Sequence, residues 1–341
     1  MWQWKRKLSG LHKTYNSATQ MTDPSLSKGE PEIFLSKASP KDKPWDDHKV
    51  NSVRVSASYN RIGFEGYSKR MWDCAKSLAF ALKTDDKGQS KLKLYAAKFC
   101  RVRWCPVCQW RKSLMWRARF LKNIPLILNN YPKARFVFLT LTVKNCQVKD
   151  LKKTIQSMNK GWQRLAQRKS FPAIGFVKSL EVTKGEDDTA HPHFHCLLMV
   201  KPSYFKNNYI SQAKWTELWK SCNRLNYTPI VNVKAVKTPK INNGSNLHQQ
   251  MIKSICETLK YSVKESDLLT DDDWLEELTR QMHKVRSVAL GGIFKEYMKE
   301  DDPENLIHGE DEEEDLELED EDVTLIFDWR DLINKYAQRK S

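Results

Sequence analysis

The chain has 341 residues, 40% of them hydrophobic, and a formal net charge of +16, which is enough to bury a substantial core in one or two domains. The stretch Glu300 to Asp322 holds 15 acidic residues and no Lys or Arg, so the rest of the chain stands at +31; a field of that sign makes nucleic acid the leading partner without choosing DNA over RNA. No run of 18 apolar residues occurs and Met1–Lys7 lacks an apolar signal core, so a cytoplasmic protein that does not cross a membrane is expected.

Residues 1 to about 50 carry Pro24, Pro31, Pro40 and Pro44 among Ser, Lys and Asp, the composition of a flexible arm without a core. Order is expected from near Val53. Met71, Cys74, Leu78 and Leu82 recur at spacings of three and four and predict a helix over 67–82. The stretch 92–99 then leads into Cys100, Cys105 and Cys108, three of the eight cysteines within nine residues. Cys-x4-Cys-x2-Cys is ligand spacing rather than a disulfide framework, and a closed tetrahedral zinc site needs one more thiolate. Cys74 is the first choice for it and Cys146 the second. Core thiols without metal, or a redox pair that leaves Cys100 unexplained, are the other readings.

Residues 107–123 read as a basic amphipathic helix. Arg101, Arg103, Arg111 and Lys112 flank the knuckle and are the candidate DNA-phosphate contacts, a solvated basic face being the alternative. Pro125 and Pro132 mark a boundary, which makes 51–132 a zinc-binding and DNA-binding region and 133–299 the following domain.

Strand and helix alternate beyond it. Strands are predicted over 136–143, 174–182, 193–200 and 229–236, and helices over 148–168, 212–222 with Ser211 as N-cap, and 248–268. The turn Gly185-Glu186-Asp187-Asp188 is short enough to set Glu181 across from His193. The fold class is therefore α+β, a central antiparallel sheet with helices packed on it plus a small zinc-binding element. No Gly-rich loop follows a strand, which argues against a doubly wound nucleotide fold and an ATP-driven enzyme.

Three of the eight histidines fall in His191-Pro192-His193-Phe194-His195. The period of two along a strand sends His193 and His195 to one face, where Glu181 from the neighbouring strand supplies a third ligand for a divalent ion with positions left open. Oxygen and nitrogen donors of this kind admit Mg or Mn; polar residues at a strand entrance are the bland alternative. In the predicted helix 248–268, Glu257, Tyr261 and Lys264 stand at i, i+4 and i+7 on one face. Tyr261 can act as a nucleophile on a metal-polarised phosphodiester with Lys264 offsetting charge, although an ordinary amphipathic helix has the same spacing. Trp104, Trp110, Trp116, Trp162, Trp215 and Trp219 are expected mostly in the core, one or two of them beside Arg or Lys stacking on exposed bases.

Taken together, the strand 138–145, the His191–His195 segment and the run 260–267 resemble the three ordered motifs of rolling-circle plasmid replication initiators of the HUH endonuclease superfamily. The subfamily most similar also carries the cysteine knuckle, here 99–112, and the likeness runs from about 65 to 300, with Gly291-Gly292-Ile293-Phe294-Lys295-Glu296 near its end. The resemblance implies His193 and His195 as metal ligands, Glu181 as the acidic third ligand, and Tyr261 as the residue that attacks the scissile phosphate. It implies Lys264 as the lysine one turn on and Glu257 as the activator of water when replication ends. His191 stands where relatives often have Asn, so its role is open between an extra ligand and a hydrogen-bonding support.

The implied partners are double-stranded and single-stranded origin DNA, a host helicase and a DNA polymerase in a bacterial cytoplasm, with a dimer as an option. The N-terminal arm and the acidic 300–341 tail, with its apolar end 323–333, lie outside the likeness. Deleting 300–341 is expected to preserve nicking and change salt sensitivity. A transposase or relaxase of related chemistry, a non-enzymatic zinc-containing DNA-binding regulator and an RNA-processing metallonuclease are the competing functions; one tyrosine in the motif, together with Glu257, favours the plasmid initiator.

Overall fold

The structure is a computed structural model that describes residues 32–84, 88, 90–185, 187–236, 263–298, 306–307 and 323–340. Met1–Ile33 and Phe34–Ser341 form separate units, and the second holds everything below.

The second unit opens with a short helix α1 (Leu35–Ala38) and then α2 (Pro44–Arg61), where Pro44 sits at the first turn and Asp46 and Asp47 face the positive end of the helix dipole. This differs from the expected arm to residue 50. The buried stripe of α2 runs Trp45, Lys49, Ser52, Ser56, Tyr59, a heptad-like spacing whose polar members hide it from any hydropathy reading. Helix α3 (Glu65–Trp72) follows, and the predicted helix 67–82 ends there. After a turn with Ala75 at φ 50, the chain becomes strand β1 (Ser77–Thr84). Leu78, Phe80 and Leu82 also satisfy a period of two, and tertiary pairing selects the strand.

Strand β2 (Ser90–Ala97) pairs antiparallel with β1, and α4 (Pro106–Asn130) leads away from the cysteines. Helix α4 continues through Pro125, which lies on its exposed side while Ile124 and Ile127 anchor the inner one. The expected boundary at Pro125 is thus helix interior, and the divide expected at 132 falls inside one compact unit.

The central part contains β3 (Arg135–Thr142), a two-residue β4 (Cys146–Gln147), α5 (Leu151–Ala166), β5 (Ala173–Lys184), β6 (Thr189–Val200), α6 (Gln212–Asn223) and β7 (Val231–Ala235). The Ser211 hydroxyl accepts from the Lys214 N–H and caps α6. After 263 come α7 (Glu265–Leu268), α8 (Asp272–Gln281), β8 (Val288–Gly292), α9 (Ile293–Tyr297), β9 (Thr324–Arg330) and β10 (Lys335–Gln338).

Two antiparallel sheets result, in agreement with an α+β fold. One has the order β10-β9-β1-β2; the other runs β7-β3-β6-β5-β8, with β4 on β6. The apolar segment 323–333 therefore supplies β9 and the residues after it supply β10: Phe327, Tyr336 and Ala337 are fully buried, and the Tyr336 hydroxyl donates to the Ala75 carbonyl. Helix α5 turns Leu151, Ile155, Met158, Trp162 and Leu165 inward and packs on α6 so closely that a Cβ on Gly161 would lie 2.3 Å from the Asn223 side chain. Among the described residues no helix is long and apolar enough to cross a membrane.

Candidate metal centres and nucleic-acid surface

The β5–β6 hairpin builds the first site. Its register pairs Glu181 with His193 and Ser179 with His195, and cross-strand partners share a face, so all of these side chains stand on one side of the sheet. The Glu181 carboxylate oxygen lies 3.2 Å from His193 Nε2 and 2.8 Å from His195 Nε2. His193 Nδ1 is 3.2 Å from the His191 carbonyl, which can only accept. The Nδ1 hydrogen meets that carbonyl, and Nε2 is turned toward the Glu181 carboxylate, the side from which the ring would ligate an ion. Thr140 approaches the other nitrogen of His195 at 3.4 Å. Burial works against ionisation of Glu181, but hydrogen bonds and charge from His193 and His195 outweigh it and hold the carboxyl well below the usual carboxylate range.

Three ligand atoms within 4.8 Å of one another, all partly exposed, suit a divalent ion with room for a phosphate oxygen or water. His191 is not part of this group; its ring lies 5.4 Å from that of His193, and burial lowers its pKa with a further push from His193.

Glu257 and Tyr261 lie outside the described residues. Lys264 is exposed and has extended backbone, φ −67 and ψ 141, immediately before α7. The predicted helix to 268 is therefore broken at 264, and its part before 263, with the expected spacing of Glu257 and Tyr261, lies outside the described residues. The segment that follows is pinned from two sides. Glu265 accepts from His48 Nδ1 at 2.7 Å and Asn51 Nδ2 at 2.6 Å on α2, while Asp267 and Asp271 receive the backbone N–H and the ammonium of Lys184 at the end of β5.

The second site gathers Cys74, from the turn after α3, with Cys100, Cys105 and Cys108. All four are buried and free. Cys74–Cys108, Cys100–Cys108 and Cys105–Cys74 sulfurs are each 3.6 Å apart, far beyond a disulfide bond. Sulfurs at ~2.3 Å from a zinc ion stand about 3.8 Å apart in a tetrahedron, so the donor set fits that ion. Cys146 is elsewhere, its thiol directed to the Ala190 carbonyl. Burial opposes ionisation of Cys105, yet hydrogen bonds from the other three thiols and from Ser52 pull its pKa well below that of an ordinary thiol.

The four cationic candidates divide. Arg101 and Lys112 are exposed. Arg103 donates to the Ser287 hydroxyl at 2.9 Å and to the Val285 carbonyl, and Arg111, only 5% exposed, donates to the Leu306 carbonyl at 2.8 Å and to that of Ile307. Of the four candidate phosphate contacts, Arg103 and Arg111 thus have guanidinium N–H groups engaged within the protein, Arg103 by a hydroxyl and a carbonyl and Arg111 by two carbonyls. The tryptophans are structural as well: Trp104, Trp116, Trp162, Trp215 and Trp219 are buried, and Trp110 is wedged edge-on against Trp45 at 4.8 Å and stacked on His48 at 4.7 Å.

The model of the replication protein family matches residues 91–337. The chain belongs to that family. The match extends past residue 300, where the motif resemblance stopped, and takes in β9 and most of β10. A protein rep of Lentilactobacillus hilgardii is 36% identical over 296 residues, covering 84% of this chain and 86% of its own. A protein rep of Bacillus amyloliquefaciens is 39% identical over 286 residues, with 77% and 83% covered, and one of Streptococcus pneumoniae serotype 2 is 34% identical over 278, with 79% and 83% covered. No solved structure matches this replication protein. Sequence reading missed α2, the helix behind both the cysteine cluster and the Glu265 anchor; the only signal for it was Pro44 followed by two Asp, a helix start.

Proposed function

We propose that this replication protein initiates rolling-circle replication of a bacterial plasmid by a metal-dependent, site-specific nick at the double-strand origin. The convergence of Glu181, His193 and His195 carries the reading: three hard donors with open access form a reactive divalent site rather than a closed structural one. Membership of the replication protein family supports the biological setting. A Mg or Mn ion held by these three residues would supply polarisation of the scissile phosphate and neutralisation of its charge.

Residues of the chain do the rest. Tyr261 gives up its phenolic proton and its oxygen bonds to phosphorus; the bond from phosphorus to the 3′ oxygen breaks, and that oxygen takes up a proton. One DNA end becomes a 5′-phosphotyrosine and the other a 3′-hydroxyl that primes a host DNA polymerase while a host helicase unwinds. Lys264 offsets negative charge in the transition state. The tyrosyl ester keeps the energy of the phosphodiester, so no ATP is consumed. At termination Glu257 takes a proton from water for a second cleavage. The 3′-hydroxyl so released attacks the phosphotyrosine, closing the displaced circle and freeing Tyr261. The anchoring of Asp267 and Asp271 to Lys184 supports this reading, because Tyr261 to Asp267 spans at most about 20 Å of extended chain and Lys184 ends the strand that bears Glu181.

The test is incubation of the full chain with a labelled single-stranded origin oligonucleotide and Mn or Mg. A protein–DNA adduct that survives denaturant, and disappears in Tyr261→Phe and with chelator, is the expected result. Specific binding without an adduct in metal-loaded protein would instead make the chain a zinc-containing DNA-binding regulator.

A further inference from the structure

The cysteine cluster has a buried cation behind it. Lys49 on α2 is completely buried and donates its ammonium to the Trp72 and Cys74 carbonyls, each at 2.7 Å. No carboxylate among the described residues is hydrogen-bonded to it. Asp46, the buried acid on the same helix, is committed to the Tyr336 N–H at 3.0 Å and the Lys335 ammonium at 3.1 Å. A buried ammonium without an anionic neighbour is strongly unfavourable.

Four thiolates around a zinc ion leave a net charge of −2 in a site sealed from water, and a low local dielectric magnifies that excess. One turn beyond Lys49 on the same stripe, the Ser52 hydroxyl lies 3.3 Å from Cys105 Sγ. The Cys100 N–H points at Cys74 Sγ and the Val102 N–H at Cys100 Sγ, each at 3.4 Å. Backbone donors thus serve two sulfurs, and α2 serves a third.

We propose that Lys49, assisted by Ser52, is a positioning residue for the zinc site: its fixed positive charge offsets part of the negative charge of the four thiolates and sets the affinity for the metal. The proposal rests on reading the cluster as a zinc site. Both residues lie upstream of the 91–337 match, so this support comes from a part of the chain outside the family model.

The experiment measures zinc content and zinc affinity by competition with a chromogenic chelator, on full-length wild type, Lys49→Gln, Lys49→Arg and Ser52→Ala. Glutamine keeps a donor for the two carbonyls and removes the charge. Lys49→Gln should bind zinc at least about tenfold more weakly, with Ser52→Ala between it and wild type, and Lys49→Arg should recover most of the loss. Melting of zinc-loaded and metal-free protein separates charge from packing: the proposal requires Lys49→Gln to lower the melting temperature of the loaded form more than that of the metal-free form. Wild-type zinc affinity in Lys49→Gln, or an equal drop in both melting temperatures, overturns it. Should Lys49→Gln fail to fold, Ser52→Ala with unchanged zinc affinity overturns it instead. Wild-type protein that holds no zinc would remove the zinc reading itself, a separate outcome seen before any variant is compared.

Discussion

Glu181 and His195 are in contact at 2.8 Å although they are not cross-strand partners; the carboxylate reaches diagonally from its own partner His193 to the next histidine on β6. One carboxylate oxygen thus faces both imidazoles, and the hairpin register alone fixes the spacing of the three donors. Glu181→Gln keeps the shape and removes the charge. It should lower nicking of the origin oligonucleotide by several kcal/mol of barrier, or at least about two orders of magnitude. Single-turnover adduct formation at saturating Mn checks this, and a near wild-type rate would remove Glu181 from the site.

Zinc withdrawal should unfold the region around α2, α4 and the four cysteines, because an ion held by the four thiolates would tie a turn, a loop and a helix together. A chelator should lower the melting temperature, and added zinc should restore it. Cys105→Ser should behave as the chelated wild type, whereas Cys146→Ser, remote from the cluster, should melt like the parent.

The two exposed cations and the two carbonyl-bound ones should separate in a salt titration of DNA binding. Lys112→Gln and Arg101→Gln should each reduce the slope of log affinity against log salt by about one where the side chain meets a phosphate. Arg111→Gln should leave the slope alone and cost about 1–3 kcal/mol of stability, since it strips the Leu306 and Ile307 carbonyls of their donor.

Lys178 is buried between α5 and the sheet, its ammonium 2.6 Å from Asn159 Oδ1 and 3.8 Å from the centre of the Phe194 ring. Burial pulls its pKa down from the ordinary lysine range to about 8. Between about pH 8 and pH 10 the unfolded chain binds the proton that the folded one has released, so stability rises with pH in that window and the penalty is full below it. Lys178→Met should therefore stabilise the protein at pH 7 by up to about 3 kcal/mol, with the gain vanishing near pH 10. Urea melts at the two pH values decide it.

Deleting 300–341, first expected to be harmless to nicking, removes β9 and β10 with Phe327, Trp329 and Tyr336, each worth about 3–5 kcal/mol as a buried aromatic. The truncated chain should not fold, as judged by loss of a cooperative melt. Removing only 308–322 spares both strands and tests charge shielding: non-specific DNA binding should tighten, most at low salt. Identical salt curves would end the shielding idea.

The sequence signalled the second sheet well because its information is local. Strands β3, β5 and β6 are rich in Val, Leu, Phe and Thr and bounded by polar turns, Ser211 caps as its type predicts, and His193, His195 and Glu181 meet because a period of two and one short turn suffice to place them. The first sheet was hidden for the opposite reason. Strand β1 takes its second neighbour from residues near the C-terminal end, which no window reveals, and α2 buries Asp46, Lys49, Ser52 and Ser56, whose partners are carbonyls, a thiol and, for Asp46, the Tyr336 N–H and the Lys335 ammonium rather than apolar groups. Arg111 looked like a surface cation until its carbonyl partners at 306 and 307 came into view.

Strand β1 ends at Thr84 and β9, which covers its other edge, begins at Thr324. During synthesis that edge waits uncovered while almost all of the intervening chain is translated, so the sheet that shares a core with the cysteines closes only late on the ribosome. A nascent chain can fold its histidine hairpin long before this. That sheet therefore closes only once β9 has been made, and a product interrupted before it would carry the histidine hairpin without the two strands that complete the sheet.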